Sequence, residues 1–100
     1  LNISRGLAEL TKGVDNVRVN CLVPGPTWTP GVEAYIKGFA KEKGYGDDTQ
    51  GAVKAYFKDH EPTSIKQKFL DPMEVAHGCL FLSSDAASAI KGCAFKVEGG

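Results

Sequence analysis

The sequence lacks a charge excess, a long apolar run and any spaced set of metal or redox ligands. Twelve basic residues balance twelve acidic ones among 100 residues. A formal net charge of zero leaves no electrostatic footprint for nucleic acid and no basic face for a membrane. The apolar stretches are a few residues long, so none reads as a transmembrane segment or a signal peptide. Cysteine is sparse and odd in number. Cys21, Cys79 and Cys93 match no zinc or redox spacing, and each sits in an apolar stretch, so they read as buried free thiols of a cytoplasmic protein. His60 and His77 lie far apart without companion ligands, and no metal site is expected. No repeat or low-complexity segment occurs.

What is present alternates between helical and extended patterns. Residues 1–11 read as a helix, with Ile3, Leu7 and Leu10 on one face. It starts inside its own periodic pattern without an N-cap, which suggests that an upstream turn is missing. Residues 17–23 read as a strand in which Val17, Val19, Cys21 and Val23 alternate with Arg18, Asn20 and Leu22, and Pro24-Gly25-Pro26 ends it. Thr29-Pro30 resembles an N-cap followed by proline at the first helical position. Val32, Tyr35, Ile36 and Phe39 then form a helical stripe. Polar residues 41–48 predict a loop, and Ala52, Val53, Tyr56 and Phe57 a second short helix opened by Thr49.

The best-signalled element starts at Asp71, with Pro72 at N1, Glu74 at N3 and a Leu70/Val75 staple. Val75, Ala76, Cys79, Leu80 and Leu82 give it an apolar face. Gly92 precedes a final strand over residues 93–97. The rhythm is that of an α/β protein with a parallel sheet, and the long helical excursion between the strands predicts a right-handed crossover that leaves them parallel and adjacent. Two strands are few for such a sheet, so the chain is expected to be a piece of something larger.

The motifs fall in register with a known family. Residues 17–25, Val-Arg-Val-Asn-Cys-Leu-Val-Pro-Gly, resemble the "RVN…PG" strand and turn of short-chain dehydrogenases/reductases. Residues 24–29 resemble the P-G-x-x-x-T motif that follows it. Residues 71–76 resemble a "P-x-E-V/I-A" helix start, residues 81–88 an "F-L-x-S-x-x-A-S" segment, and residues 92–100 a last strand ending in "V-x-G-G". The resemblance implies the C-terminal portion of a Rossmann-type, doubly wound parallel sheet. All 100 residues would belong to one oxidoreductase domain, with residues 30–64 as a substrate loop or lid.

The family's catalytic serine, its Tyr-x-x-x-Lys and its G-x-x-x-G-x-G phosphate loop have no counterpart here. Tyr35, Tyr45 and Tyr56 are followed four positions later by Phe39, Thr49 and His60. No catalytic residue is therefore assigned, and the 100 residues alone are expected to be inactive. By resemblance, Pro24, Gly25, Thr27 and Thr29 belong to a site for NAD or NADP. There the main chain at Thr27 would hold the nicotinamide carboxamide, and the Thr29 hydroxyl the carboxamide or the adjacent phosphate. Read without the family, Pro24, Gly25 and Thr29 only end a strand and cap a helix.

Trp28, Val32, Tyr35 and Phe39 would wall the pocket of a small carbonyl or alcohol substrate; the alternative is that they fill a core between two helices. Arg18 and Asn20 read as structural. The implied whole is a cytoplasmic, homo-oligomeric (dimeric or tetrameric) NAD(P)-dependent oxidoreductase with no nucleic-acid or membrane partner. A non-catalytic binding or dimerisation module derived from that fold is the competing reading.

Overall fold

A computed structural model describes residues 2–100. The elements run α1 (Asn2–Glu9), β1 (Cys21–Pro24), α2 (Pro30–Glu42), α3 (Thr49–His60), α4 (Pro72–Ser83), a short 3-10 turn at Asp85–Ala87 and β2 (Ala94–Val97). Leu1, the first residue of the expected opening helix, lies outside the described residues. β1 and β2 are parallel neighbours, in the register Cys21↔Ala94 to Pro24↔Val97. The expected parallel pairing is therefore what forms. The chain divides into two compact units, one of residues 2–24 and Met73–Val97, the other of Gly25–Pro72 and Glu98–Gly100.

In the first unit the strand is shorter than its alternation suggested. Residues 17–20 are not strand. Asn20 is the reason: its Nδ2 donates to the Ile90 carbonyl at 2.9 Å, and its Oδ1 accepts from the Cys93 N–H at 2.9 Å. The side chain thus replaces ladder bonds where the chain enters β2. Beside it, the Gly92 N–H donates to the Val19 carbonyl at 2.9 Å, with Gly92 at φ 69, a conformation that favours glycine. Arg18 donates from Nη2 to the Ser84 carbonyl at 3.0 Å, tying the entry of β1 to the end of α4. Both residues do structural work, as expected from the sequence.

Helix α4 lies close to the sheet at Gly78, where a Cβ would stand 2.8 Å from Val97 Cγ2 and 3.3 Å from Leu22 Cδ1. The Phe81 and Phe95 rings meet at 5.8 Å. Nevertheless no residue of α4 is fully buried, and Leu80 is 68% exposed. Two four-residue strands offer too little surface to cover the whole apolar face read from the sequence. The same limit corrects the cysteines. All three are free, but Cys79 is exposed and Cys21 and Cys93 are only half-buried.

The second unit holds most of the fully buried side chains. Helices α2 and α3 enclose Ile36, Phe39, Ala40 and Ala52, with Trp28, Val32, Tyr56 and Phe69 packed around them. Ile36 and Phe57 have no exposed surface. Thr29 caps α2 by accepting from the Val32 N–H at 3.2 Å, and Pro30 takes the first turn, where its missing N–H costs nothing. The cap of α3 is Asp48, one residue before Thr49, with Oδ1 accepting from the Gly51 N–H at 3.0 Å.

Replacing Asn20 by alanine would leave the Ile90 carbonyl and the Cys93 N–H without their partner. In the complete protein, Asn20→Ala is expected to lower the unfolding free energy by roughly 1–3 kcal/mol, read as an earlier urea midpoint. A change below about 0.5 kcal/mol would mean that water satisfies both groups.

Candidate functional site

The candidate site grows from the turn after β1. Pro24 is the exposed last residue of the strand. Gly25 follows where only glycine fits, because a Cβ there would lie 2.6 Å from Glu98 Cα and 2.7 Å from the Glu98 carbonyl oxygen. Two stretches far apart in sequence thus touch backbone to backbone. The Thr27 hydroxyl donates back to the Gly25 carbonyl at 2.9 Å and stiffens the turn.

Thr27 then forms an isolated parallel bridge with Leu70. The Leu70 N–H donates to the Pro26 carbonyl at 2.8 Å, and the Leu70 carbonyl accepts from the Trp28 N–H at 2.8 Å. A parallel bridge of this kind uses the groups on either side of Thr27, so Thr27's own N–H and C=O point the opposite way. Among the described residues, neither has a main-chain partner. The result is a donor and an acceptor side by side on a rigid edge. Two positions on, the Thr29 side-chain oxygen accepts from the helix and keeps its own proton to donate.

The four apolar residues expected to wall a substrate pocket differ in exposure. Trp28 and Val32 are half-buried against the α2–α3 core, and the Trp28 and Phe69 rings lie 5.5 Å apart. Tyr35 is 55% exposed, whereas Phe39 is only 7% exposed and belongs to the core itself. Tyr35 stacks on Phe39 at 6.5 Å, so the buried ring backs the open one.

Three residues beside this site were not read as functional. In the sequence Leu70 reads as part of a helix staple and Tyr56 as part of a helix face, and Phe69 carries no signal. No local pattern in the sequence signals a one-residue bridge between positions 27 and 70. Tyr56 stacks on Phe69 at 5.4 Å with 26° between the planes, and its ring also meets Tyr35, Phe39 and His60. Burial pushes its phenol above the ordinary tyrosine pKa, with smaller contributions in the same direction from Glu61 and Tyr35. Among the described residues no group of histidine, cysteine or carboxylate side chains is placed to hold a metal ion. No helix among them is long and apolar enough to cross a membrane.

Comparison with known proteins adds three findings. A family profile described as enoyl-(acyl carrier protein) reductase matches residues 1–100. The chain is 53% identical over 100 residues to the uncharacterized oxidoreductase YvrD of Bacillus subtilis (strain 168), a match covering 100% of this chain and 37% of that protein. It is also similar to the L-sorbose reductase of Gluconobacter frateurii, solved in complex with NADPH and L-sorbose. That match has 32% identity and a TM-score of 0.79, and covers 99% of this chain and 35% of the other. The chain therefore spans little more than a third of the length of the relatives it matches.

The shifted phenol makes a pH prediction. The folded state keeps the Tyr56 proton to a higher pH than the unfolded chain does. Its contribution to stability is therefore complete below the unfolded value of about 10 and is lost as pH rises through the folded value. Thermal melts across that alkaline range should fall less steeply for Tyr56→Phe than for the wild type. Parallel curves would show that the ring titrates as it does in the unfolded chain.

Proposed function

We propose, since this chain belongs to the short-chain dehydrogenase/reductase family and corresponds to its C-terminal portion, that it forms the nicotinamide side of a cofactor pocket and one wall of the substrate pocket. The complete protein is then an NAD(P)-dependent oxidoreductase of small carbonyl or alcohol substrates, acting in the cytoplasm as a homo-oligomer. The carrying observation is the free edge of Thr27. A nicotinamide carboxamide has one acceptor oxygen and a two-proton amide nitrogen. The Thr27 N–H and C=O, held by the bridge to Leu70, match it as donor and acceptor with little entropy left to lose. The Thr29 hydroxyl offers a further donor to the carboxamide or to a phosphate oxygen. Gly25 serves indirectly by letting the turn press against Glu98. NAD and NADP share the nicotinamide end, so these residues serve either.

The cofactor, when bound, supplies hydride exchange at the nicotinamide ring. The residues of this chain hold that ring and exclude water from it. Trp28, Val32 and Tyr35 present apolar and aromatic surface to a substrate, and Phe39 supports Tyr35 from behind. Residues 30–64 act as the lid, and their shared core supports movement as one packed body rather than as a melted loop. The relative solved with L-sorbose makes a polyhydroxylated ketone a reasonable substrate class to test first.

A second reading, a non-catalytic binding or dimerisation module, draws on one observation. Ile3 and Leu7 of α1, and Leu10 in the turn just after it, are at least half exposed. Such a surface suits a protein partner, and it also suits the homo-oligomer of the first reading.

General acid/base groups in such reactions contribute about a hundred- to ten-thousand-fold, and no residue here pairs a tyrosine with a lysine four positions later. The purified 100 residues are expected to show no turnover of ketoses with NADH or NADPH, whereas the complete protein should show it. Steady cofactor-dependent turnover by the 100 residues alone would refute the division of labour proposed here. Absence of turnover and of cofactor binding in the complete protein would favour the second reading.

A further inference from the structure

We infer that Tyr56 is a positioning residue for the cofactor-binding edge at Thr27, acting through Phe69 and Leu70. This rests on Thr27 being the carboxamide-binding edge. Leu70 is held by the turn on both sides, through the Pro26 carbonyl and the Trp28 N–H, each at 2.8 Å. Where Leu70 sits, the Thr27 edge must follow. Phe69, the residue before it, carries the contact to the helices. Its ring lies 5.5 Å from Trp28, stacks on Tyr56 at 5.4 Å and meets Phe57 edge-on at 5.0 Å. Both segments of the bridge thus send an aromatic ring towards the α2–α3 pair.

Phe57, on α3, is fully buried. Tyr56 is half-buried and differs in reach. Its ring takes Tyr35 edge-on at 6.1 Å and Phe39 at 6.2 Å, so it touches α2 as well as Phe69. A shift of α2 against α3 therefore reaches the bridge through Tyr56 and Phe69, alongside the contacts of Trp28 and Phe57. Aromatic pairs hold their geometry because edge and face carry opposite partial charge. Coupling of this kind is reciprocal: a cofactor that fixes the Thr27 edge favours one arrangement of the helices, and that arrangement favours the cofactor.

The experiment uses the complete enzyme and three variants, Tyr56→Phe, Tyr56→Leu and Phe69→Leu. Two quantities are measured: the Kd for NADH and NADPH, and deuterium uptake with and without cofactor at residues 27–29, 49–60 and 69–70, with residues 94–97 as a control. Tyr56→Leu should bind cofactor about tenfold more weakly, the scale of one aromatic pair. It should also lose the cofactor-induced protection at 49–60 while its uptake at 94–97 stays as in the wild type. Tyr56→Phe keeps the ring and should bind within about twofold of wild type. If Tyr56→Leu does not fold, Phe69→Leu is held to the same criteria.

A Tyr56→Leu enzyme that melts earlier but keeps wild-type affinity and protection would overturn the inference and leave the Thr27 reading intact. A wild-type enzyme with no cofactor-induced protection at 27–29 would instead remove that reading, and this inference with it.

Discussion

The site depends on one bridge, between Thr27 and Leu70. Two hydrogen bonds of 2.8 Å fix a segment that would otherwise be a loop after a Pro-Gly turn. Each is worth about 1 kcal/mol net, so their importance lies in direction rather than in energy. By consuming the groups on either side of Thr27, they aim its own amide and carbonyl outward as a pair. Gly25 makes the turn possible, Thr29 starts the helix that leaves it, and Phe69 and Trp28 carry its position into the helical core.

The order of elements and the parallel strand pair could be read from the sequence because their signals are local. Pro24-Gly25-Pro26, Thr29-Pro30 and Asp71-Pro72 are punctuation, and proline or glycine leaves a chain few choices at such places. Asn20 reads as structural in the sequence, but its effect on the strand does not show there. A side chain that bonds to residues 90 and 93 shortens β1 through contacts some seventy positions away. The bridge to Leu70 was hidden for the same reason: one residue has no periodicity, and its partner looked like the lead-in to a helix.

Burial was the least legible property. The stripe through Val32, Tyr35, Ile36 and Phe39 shows which residues share a helix face, yet it cannot say that Phe39 is core while Tyr35 remains open to solvent. That depends on where α3 crosses α2. The apolar face expected of α4 is not buried: Ala76, Cys79 and Leu80 stay exposed, because pattern alone does not supply a covering surface. An apolar stripe is a demand for a partner, and only the fold shows whether the demand is met.

Under the proposed function an oxidoreductase site is shared between this chain, which would grip one end of a cofactor, and residues outside it, which would carry the proton chemistry. Its central claim is that the outward pair on Thr27 is reserved for a ligand rather than for protein. A crystal structure of the complete protein with NADH or NADPH tests this most directly. The account predicts the carboxamide oxygen and nitrogen within about 3 Å of the Thr27 N–H and C=O, with Leu70 still bridged on the other side. Thr27 paired on both edges with protein main chain, and the nicotinamide ring elsewhere, would contradict it.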